Sequence, residues 1–440
     1  MYIYVRAKFA ISLILSWIWV LISIYLAVPW YKTLSARMYH PLPEFIILGL
    51  AILPGWAMSF MIFSLLLDRR PKYIEKPFTA PPLTLLIAAY NEEDKITDTL
   101  LSVWNQEYPA HIRTVVIDDG SKDRTAEKVT EFICQNVSED KSFELIRHPE
   151  NRCKAAALST GLDSVTTEYV ITIDADSYLY SKAIENLTRN IVLGPKNTAA
   201  VAGNVLVRNS RDNLMTKLQE WDYFHGIAVI KRVQSLYQGT LVAQGAFSIY
   251  RTEAVKQLSG WPPKIGEDIV LTWGLRDLGY RIGYAENAFC FTMVPETYRQ
   301  FFRQRKRWSR GLIEAFKSYP VTLVKVRMNS PFIWYNLFFP LIDSAYLLFF
   351  LPGLIAAIFF HNYLIVGLMT VLLLPLAIIA NGLFFWQQRK IFLKYGLKVR
   401  MNLLGFMIYL LAYQAIMAPA TVAGYLSEIL NLAKKWGTKE

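Results

Sequence analysis

Five apolar runs divide this chain, two at its start and three at its end, with a long charged segment between them. Phe9 to Val28 and Phe45 to Leu67 open it; Phe332 to Phe360, Tyr363 to Trp386 and Leu403 to about Leu426 close it. Each meets the length of about 20 residues needed to cross a bilayer. A single water-soluble core has no place for five such runs, and the 53% hydrophobic fraction fits a chain partly held in lipid. The first run exceeds the roughly 7–15-residue apolar core of a signal peptide and no small-x-small cleavage site follows, so it reads as a retained anchor. Pro419 and Gly424 interrupt the fifth, which has an interfacial placement as its alternative.

The net charge of +12 admits nucleic acid, anionic lipid or an anionic substrate as partner. Its distribution decides. Basic residues gather at the ends of apolar runs, at Arg69, Arg70, Lys72 and Lys76 and again at Arg389, Lys390, Lys394, Lys398 and Arg400. That is the pattern of membrane topology, so no nucleic acid is expected. By the positive-inside rule both segments are cytoplasmic, which places residues 71–320 and the N-terminus inside and the C-terminus outside. Lys434, Lys435 and Lys439 fit an outside C-terminus poorly, which favours the interfacial alternative for the last run. Three cysteines, odd in number and far apart, give neither a disulfide framework nor a zinc site. Asp343 interrupts the third run; a carboxyl there either faces a bundle interior or reaches the headgroups.

Between Pro71 and Pro320 short apolar runs alternate with amphipathic segments, the sign of an α/β sheet. Strands are expected at Leu83–Ala89, Thr114–Ile117, Phe143–Ile146 and Tyr169–Ile173, with helices from Glu92 to Asn105 and from Ser121 to Gln135. Ligands of open α/β sheets sit at the carboxyl ends of strands. Three of these ends carry acids: Glu92, Asp118-Asp119 and Asp174-Ala175-Asp176. No Gly-rich dinucleotide or P-loop fingerprint follows any strand. Acids so placed require a cation or a donor-rich ligand among them, and Asp174 with Asp176 suits a hard divalent ion completed by phosphate oxygens. Asp119 reads either as a contact to a base or ribose or as a turn-capping acid. Lys154 either offsets a diphosphate or is an ordinary surface lysine. Further on stand an acid box, Gly266-Glu267-Asp268, and then Gln304-Arg305-Lys306-Arg307-Trp308.

In order, Ala89-Tyr90-Asn91-Glu92-Glu93, Asp118-Asp119-Gly120-Ser121, Asn151-Arg152-Cys153-Lys154, Asp174-Ala175-Asp176, Glu267-Asp268 and Gln304-x-x-Arg307-Trp308 resemble the glycosyltransferase family 2 pattern. The resemblance covers residues 80–320 and is to the membrane-integrated processive polysaccharide synthases, above all the bacterial poly-N-acetylglucosamine synthases. Val201-Ala202-Gly203-Asn204 and Met293-Val294-Pro295-Glu296-Thr297 point to that branch. Two positions depart from the pattern: Gly266 where the family commonly has Thr, and Cys153 where Gly often precedes the lysine.

The fold implied is an α/β GT-A glycosyltransferase domain with a Rossmann-like mixed sheet, inserted between about five transmembrane helices. Residues 1–70 would hold two helices, 71–320 the cytosolic domain ending in an amphipathic interface helix, and 321–440 three helices forming a polymer channel. The activity implied is inverting transfer of a sugar, N-acetylglucosamine in the closest branch, from a UDP-sugar to a growing polysaccharide, with translocation across the inner (plasma) membrane. Asp268, with Glu267 beside it, would be the catalytic acid pair and Asp268 the base. Asp174 and Asp176 would hold Mg2+ or Mn2+. Tyr90, Asn91, Glu92, Asp119, Lys154, Asp174 and Arg307 would bind the nucleotide, and Gln244, Gly245, Gln304 and Trp308 the acceptor. The lipid bilayer is a partner, and a small membrane partner subunit is compatible with the pattern. Rival readings are another β-polysaccharide synthase (hyaluronan, chitin or glucan type), a single transfer to a polyprenyl-phosphate lipid, and a transporter or scaffold with a degenerate domain.

Overall fold

The computed structural model describes residues 3–69, 77–399 and 401–433. Arg70, Lys72, Lys76, Arg400, Lys434, Lys435 and Lys439 lie outside the described residues. The middle of the chain forms a sheet of eight strands: β1 Leu83–Ala89, β2 Ile112–Asp118, β3 Lys141–Arg147, β4 Tyr169–Asp174, β5 Tyr178–Leu179, β6 Thr198–Val207, β7 Phe247–Arg251 and β8 Arg281–Thr292. Their order is β3-β2-β1-β4-β7-β6-β8-β5. β1 runs parallel to β2 and β4, and β2 parallel to β3. β7 runs antiparallel to β4 and β6, so the sheet is mixed.

Side chains alternate across the sheet with the period of two that a strand dictates. Leu85, Ile87 and Ala89 join one core, against the helices Ile96–Trp104, Thr125–Gln135 and Ala183–Val192. Leu86, Val115 and Ile117 join the other, against the helices Lys154–Asp163 and Glu267–Asp277. Covering on both faces explains why β1 is almost wholly apolar.

The first two helices start later than their sequence pattern implies, at Ile96 and Thr125. The intervening residues spend their hydrogen bonds on each other. The amides of Asn91, Glu92 and Glu93 donate to Ser121 Oγ, Thr125 Oγ1 and Asp123 Oδ2. Those of Lys122 and Arg124 donate back to Asn91 Oδ1 and Glu93 Oε2. Helix starts and loop stitching compete for the same donors, and here the stitching prevails.

Among the described residues, five helices are long and apolar enough to cross a membrane: Val5–Ser35, Leu42–Leu66, Ser330–Phe360, Met369–Lys394 and Leu403–Ile429. The first four each have one end at the sheet domain and one end away from it. Near the domain, Lys8 Nζ donates to the Arg69 carbonyl, and Tyr180 Oη to the Tyr395 carbonyl. At the far end, Trp30 Nε1 donates to the Leu364 carbonyl.

The fifth helix is different, because both its ends touch the domain. At its start Asn402 Nδ2 donates to the Lys217 carbonyl, and Trp221 Nε1 donates to the Asn402 carbonyl. At its end Glu428 accepts from Arg310 at 3.2 Å. Between these ends Tyr413 meets Phe301, and Gly424 packs on Ser309. The helix therefore lies along Tyr298–Ser318, and its last residues stay against the domain. Asp343 faces the helix bundle: Gln414 Nε2 and Tyr425 Oη of this same helix donate to its carboxylate at 2.8 and 2.9 Å.

Candidate active site

Parallel pairing sets the three acidic strand ends side by side. Ala89 registers with Asp118, and Ala88 with Asp174. The chain turns sharply after β1, and Asn91 takes a φ of 55°, a left-handed conformation that Asn tolerates better than most residues. Tyr90 beside it is 36% exposed and open to a ligand. Asp119 is buried, and its Oδ1 accepts the Arg152 amide at 3.0 Å and shares a hydrogen bond with His148 Nδ1 at 2.8 Å. His148 was not singled out in the sequence; a histidine after β3 carries no motif that announces it.

Cys153 has a φ of 78°, in the region that favours glycine. A family preference for Gly at this position thus has a conformational cause, and the cysteine departs from it at the cost of strain. The turn aims Lys154, first residue of its helix, at the end of β4. Its ammonium pairs with Asp174 Oδ1 and lies 3.8 Å from Glu267 Oε1. Lys154 is therefore no surface lysine. Burial opposes its charge, but Asp174, Glu267 and Asp268 outweigh burial and hold its pKa above the ordinary lysine value.

The loop Gln244–Ala246 passes between β4 and the acid box. The Asp174 amide donates to the Ala246 carbonyl, and the Gly245 amide donates to Asp268 Oδ2 at 3.3 Å. A Cβ on Gly245 would stand 2.7 Å from Lys154 Nζ, so a larger residue there would displace the lysine ammonium. Gln244 is turned to the sheet, where its Nε2 donates to the Gly203 carbonyl at 2.9 Å. Asp268 Oδ1 accepts the Ile269 amide at 2.7 Å, at the first turn of Glu267–Asp277. Glu267 is enclosed; burial first and the Asp268 charge second push its carboxyl up to about 7, against the pull of Lys154 and Arg307.

Asp176 Oδ1 accepts from Thr292 Oγ1 at 3.1 Å, from the end of β8. Among the described residues no group of three or more His, Cys, Asp or Glu surrounds a point that could hold a metal. Two carboxylates two residues apart, on a turn, remain. That donor set fits a hard ion which takes its other ligands from substrate phosphates and water.

Thr297 and Gln300 cap the helix Tyr298–Ser318 reciprocally, and this helix carries Gln304, Arg307 and Trp308. Arg305, not Arg307, lies over the Trp308 ring, at 4.1 Å from its centroid, while Arg305 Nη2 donates to Asp222 Oδ2 at 2.8 Å. Trp308 remains 39% exposed, and the Tyr223 ring stands 6.4 Å from it. Arg307 is half-buried, its charge acting on Glu267. Gln304 Oε1 is buried without a hydrogen-bond partner. The structure thus gathers Lys154, Asp174, Gly245, Glu267 and Asp268 tightly. Asp119 holds a separate position along the strand edge with His148 and the Arg152 amide.

Residues 84–259 match the family model described as Glycosyl transferase family 2. A poly-β-1,6-N-acetyl-D-glucosamine synthase of Staphylococcus epidermidis is 36% identical over 234 residues, 52% of this chain and 54% of the relative. A protein of the same description from Staphylococcus aureus strain MSSA476 is 36% identical over 230 residues, again 52% and 54%. The chain therefore spans about half the length of these relatives. A mannosyltransferase from Pyrobaculum calidifontis, solved in complex with GDP-Man and Mn2+, superimposes with a TM-score of 0.55 at 18% identity, covering 89% of this chain and 100% of that one. That likeness is one of fold, the mixed α/β sheet of GT-A enzymes. The part of the chain that bears the strand-end acids is a glycosyl transferase family 2 domain of GT-A fold, joined to five helices long and apolar enough to cross a membrane.

Proposed function

We propose that the protein transfers N-acetylglucosamine from a UDP-sugar to a growing polysaccharide and passes the product through its apolar helices, with the domain on the cytoplasmic side. One observation carries the reading: Lys154, Asp174, Glu267 and Asp268 converge on the Gly245 backbone at the carboxyl edge of the sheet. The sugar is taken from the names of the staphylococcal relatives.

Asp268 is the base that takes the acceptor hydroxyl proton as that oxygen attacks the sugar carbon from the face opposite the departing diphosphate, inverting the centre. Such help is worth typically 10²–10⁴-fold. The Gly245 and Ile269 amides hold the Asp268 carboxylate in place, each occupying one oxygen. Glu267 stays beside it as an enclosed acid that shares Lys154. Lys154 and Arg307 supply positive charge to the diphosphate. Asp174 and Asp176 would hold Mg2+ or Mn2+, which when bound offsets the charge building on the leaving UDP. Asp119 contacts a base or ribose edge in this reading, with Tyr90, Asn91 and Glu92 on the adjoining loop. The buried Gln304 oxygen accepts from a sugar hydroxyl, and the open face of Trp308 stacks on the acceptor ring.

Membranes carrying the protein, incubated with Mg2+ and radiolabelled UDP-N-acetylglucosamine, are expected to yield long, water-extractable polymer, and Asp268→Asn to abolish it. Label confined to a short, lipid-extractable product overturns the polymer reading in favour of a single transfer. Metal-dependent UDP release that survives undiminished in Asp268→Asn removes Asp268 from the chemistry.

A further inference from the structure

A cavity of about 510 Å³ opens where the second and fourth apolar helices meet the sheet domain, away from the acids described above. Its floor is an ion triad. Arg232 donates to Asp68 Oδ2 at 2.6 Å and pairs with Glu286 on its other side, tying the end of the second helix to β8. Its walls are of two kinds. Leu65, Leu66 and Leu383 are apolar; Arg69, Lys390 and Lys394 are basic. Four basic side chains, Arg69, Arg232, Lys390 and Lys394, thus line the cavity against two acidic ones, Asp68 and Glu286.

We propose that this cavity seats the headgroup of an anionic phospholipid. The apolar wall belongs to helices long and apolar enough to cross a membrane, and the basic wall lies at their domain-side ends, so one molecule with acyl chains and a phosphate matches both. Leu66 and Trp386 are more than half exposed at the mouth, where acyl chains would lie. The Lys390 ammonium rests 3.1 Å over the Trp386 ring, which fixes that charge at the rim. A basic pocket between membrane helices is a recurrent headgroup seat, and each basic side chain near the surface contributes roughly a fivefold gain in binding. Because Arg232 links helix to sheet, an occupied cavity braces the joint between membrane and catalytic domain. The proposal stands independently of the polymerase reading.

Full-length protein extracted in mild detergent and examined by native mass spectrometry is expected to retain one anionic phospholipid. Lys390→Gln with Lys394→Gln should weaken its rebinding roughly 25-fold. Arg389→Gln with Lys398→Gln removes the same charge from the same end of the helix without touching the cavity, and should leave binding unchanged. Should the first double variant aggregate, Lys390→Gln alone is read, with a fall of about fivefold. Equal loss in both double variants overturns the proposal, since a general surface potential explains it. Retention of zwitterionic lipid only also overturns it. Inorganic phosphate that displaces the lipid and binds delipidated protein just as tightly makes the ligand a soluble anion, and the lipid assignment falls.

Discussion

Gly266 and Gly311 pack backbone on backbone. A Cβ on Gly266 would lie 2.6 Å from the Gly311 Cα, and one on Gly311 would lie 2.8 Å from the Gly266 Cα. The contact joins the residue before Glu267-Asp268 to the helix that carries Gln304, Arg307 and Trp308, one turn beyond Arg307. Glu314 reinforces it by accepting the Gly266 amide at 3.0 Å. Two motifs some forty residues apart in sequence are thereby held in one register. The glycine that departs from the family habit at position 266 has a steric reason here, since the opposing atom is backbone and cannot move aside alone.

Gly266→Ala is accordingly expected to push the acid box away from the helix Tyr298–Ser318. A displacement near 1 Å at a reacting geometry costs on the order of 10²-fold in rate. The check is the initial rate of sugar incorporation with saturating donor, where kcat should fall while UDP binding, measured by calorimetry, changes little. An unaltered kcat would mean that the two boxes need not be held together.

The strand-end acids were legible from sequence because parallel strands are short apolar runs and their carboxyl ends are where the turn residues fall. The later half of the sheet was not legible. β6 and β8 pair through register shifts, and β7 is inserted antiparallel between β4 and β6, none of which leaves a periodic trace. Asp119 was visible as a motif, whereas its partner His148 was not, because their contact depends on how β3 runs beside β2. The stacking partner of Trp308 was likewise hidden. Arg305 and Arg307 are equivalent in a string, and only the helix phase and the buried Asp222 choose Arg305.

Lys231 is 8% exposed, and its Nζ has no hydrogen-bond partner. Burial, opposed only by Asp268, lowers its pKa from 10.5 to about 7. The native state therefore releases this proton more readily than the unfolded chain. Below about 7 both states are charged and the cost of enclosing the ammonium is complete; as pH rises from 7 to 10.5 the cost disappears. Lys231→Met should stabilise the protein most at neutral and lower pH, by a few kcal/mol at about 1.4 kcal/mol per pH unit, seen as a higher melting temperature. The gain should fade toward pH 10.5. A pH-independent gain would trace the effect to packing alone.

Arg310 and Glu428 form an enclosed ion pair, 6% and 4% exposed, and Lys317 adds a second cation at 3.4 Å. Arg310 also donates to the carbonyls of Leu432 and Ala433. Removing one member of such a pair leaves the other charged and desolvated, at a cost of about 3–5 kcal/mol. Glu428→Ala should lower the melting temperature of the purified protein, and Arg310→Met with Glu428→Leu should recover much of the loss. Equal destabilisation by the single and the double variant would show that packing, not unpaired charge, sets the cost.

The placement of the fifth helix makes a topological prediction that simple counting of apolar runs reverses. Five crossings would put the two ends of the chain on opposite sides of the membrane; four crossings and one helix lying along Tyr298–Ser318 put them on the same side. Leu430, 65% exposed, follows directly after that helix on the domain side, whereas His361 caps the third apolar helix at its far end. In intact cells a membrane-impermeant maleimide should label His361→Cys and not Leu430→Cys, and permeabilisation should make the second site reactive. Labelling of both in intact cells would restore a fifth crossing. It would also require the Arg310–Glu428 pair to separate, because that pair cannot hold with its two residues on opposite faces of the bilayer.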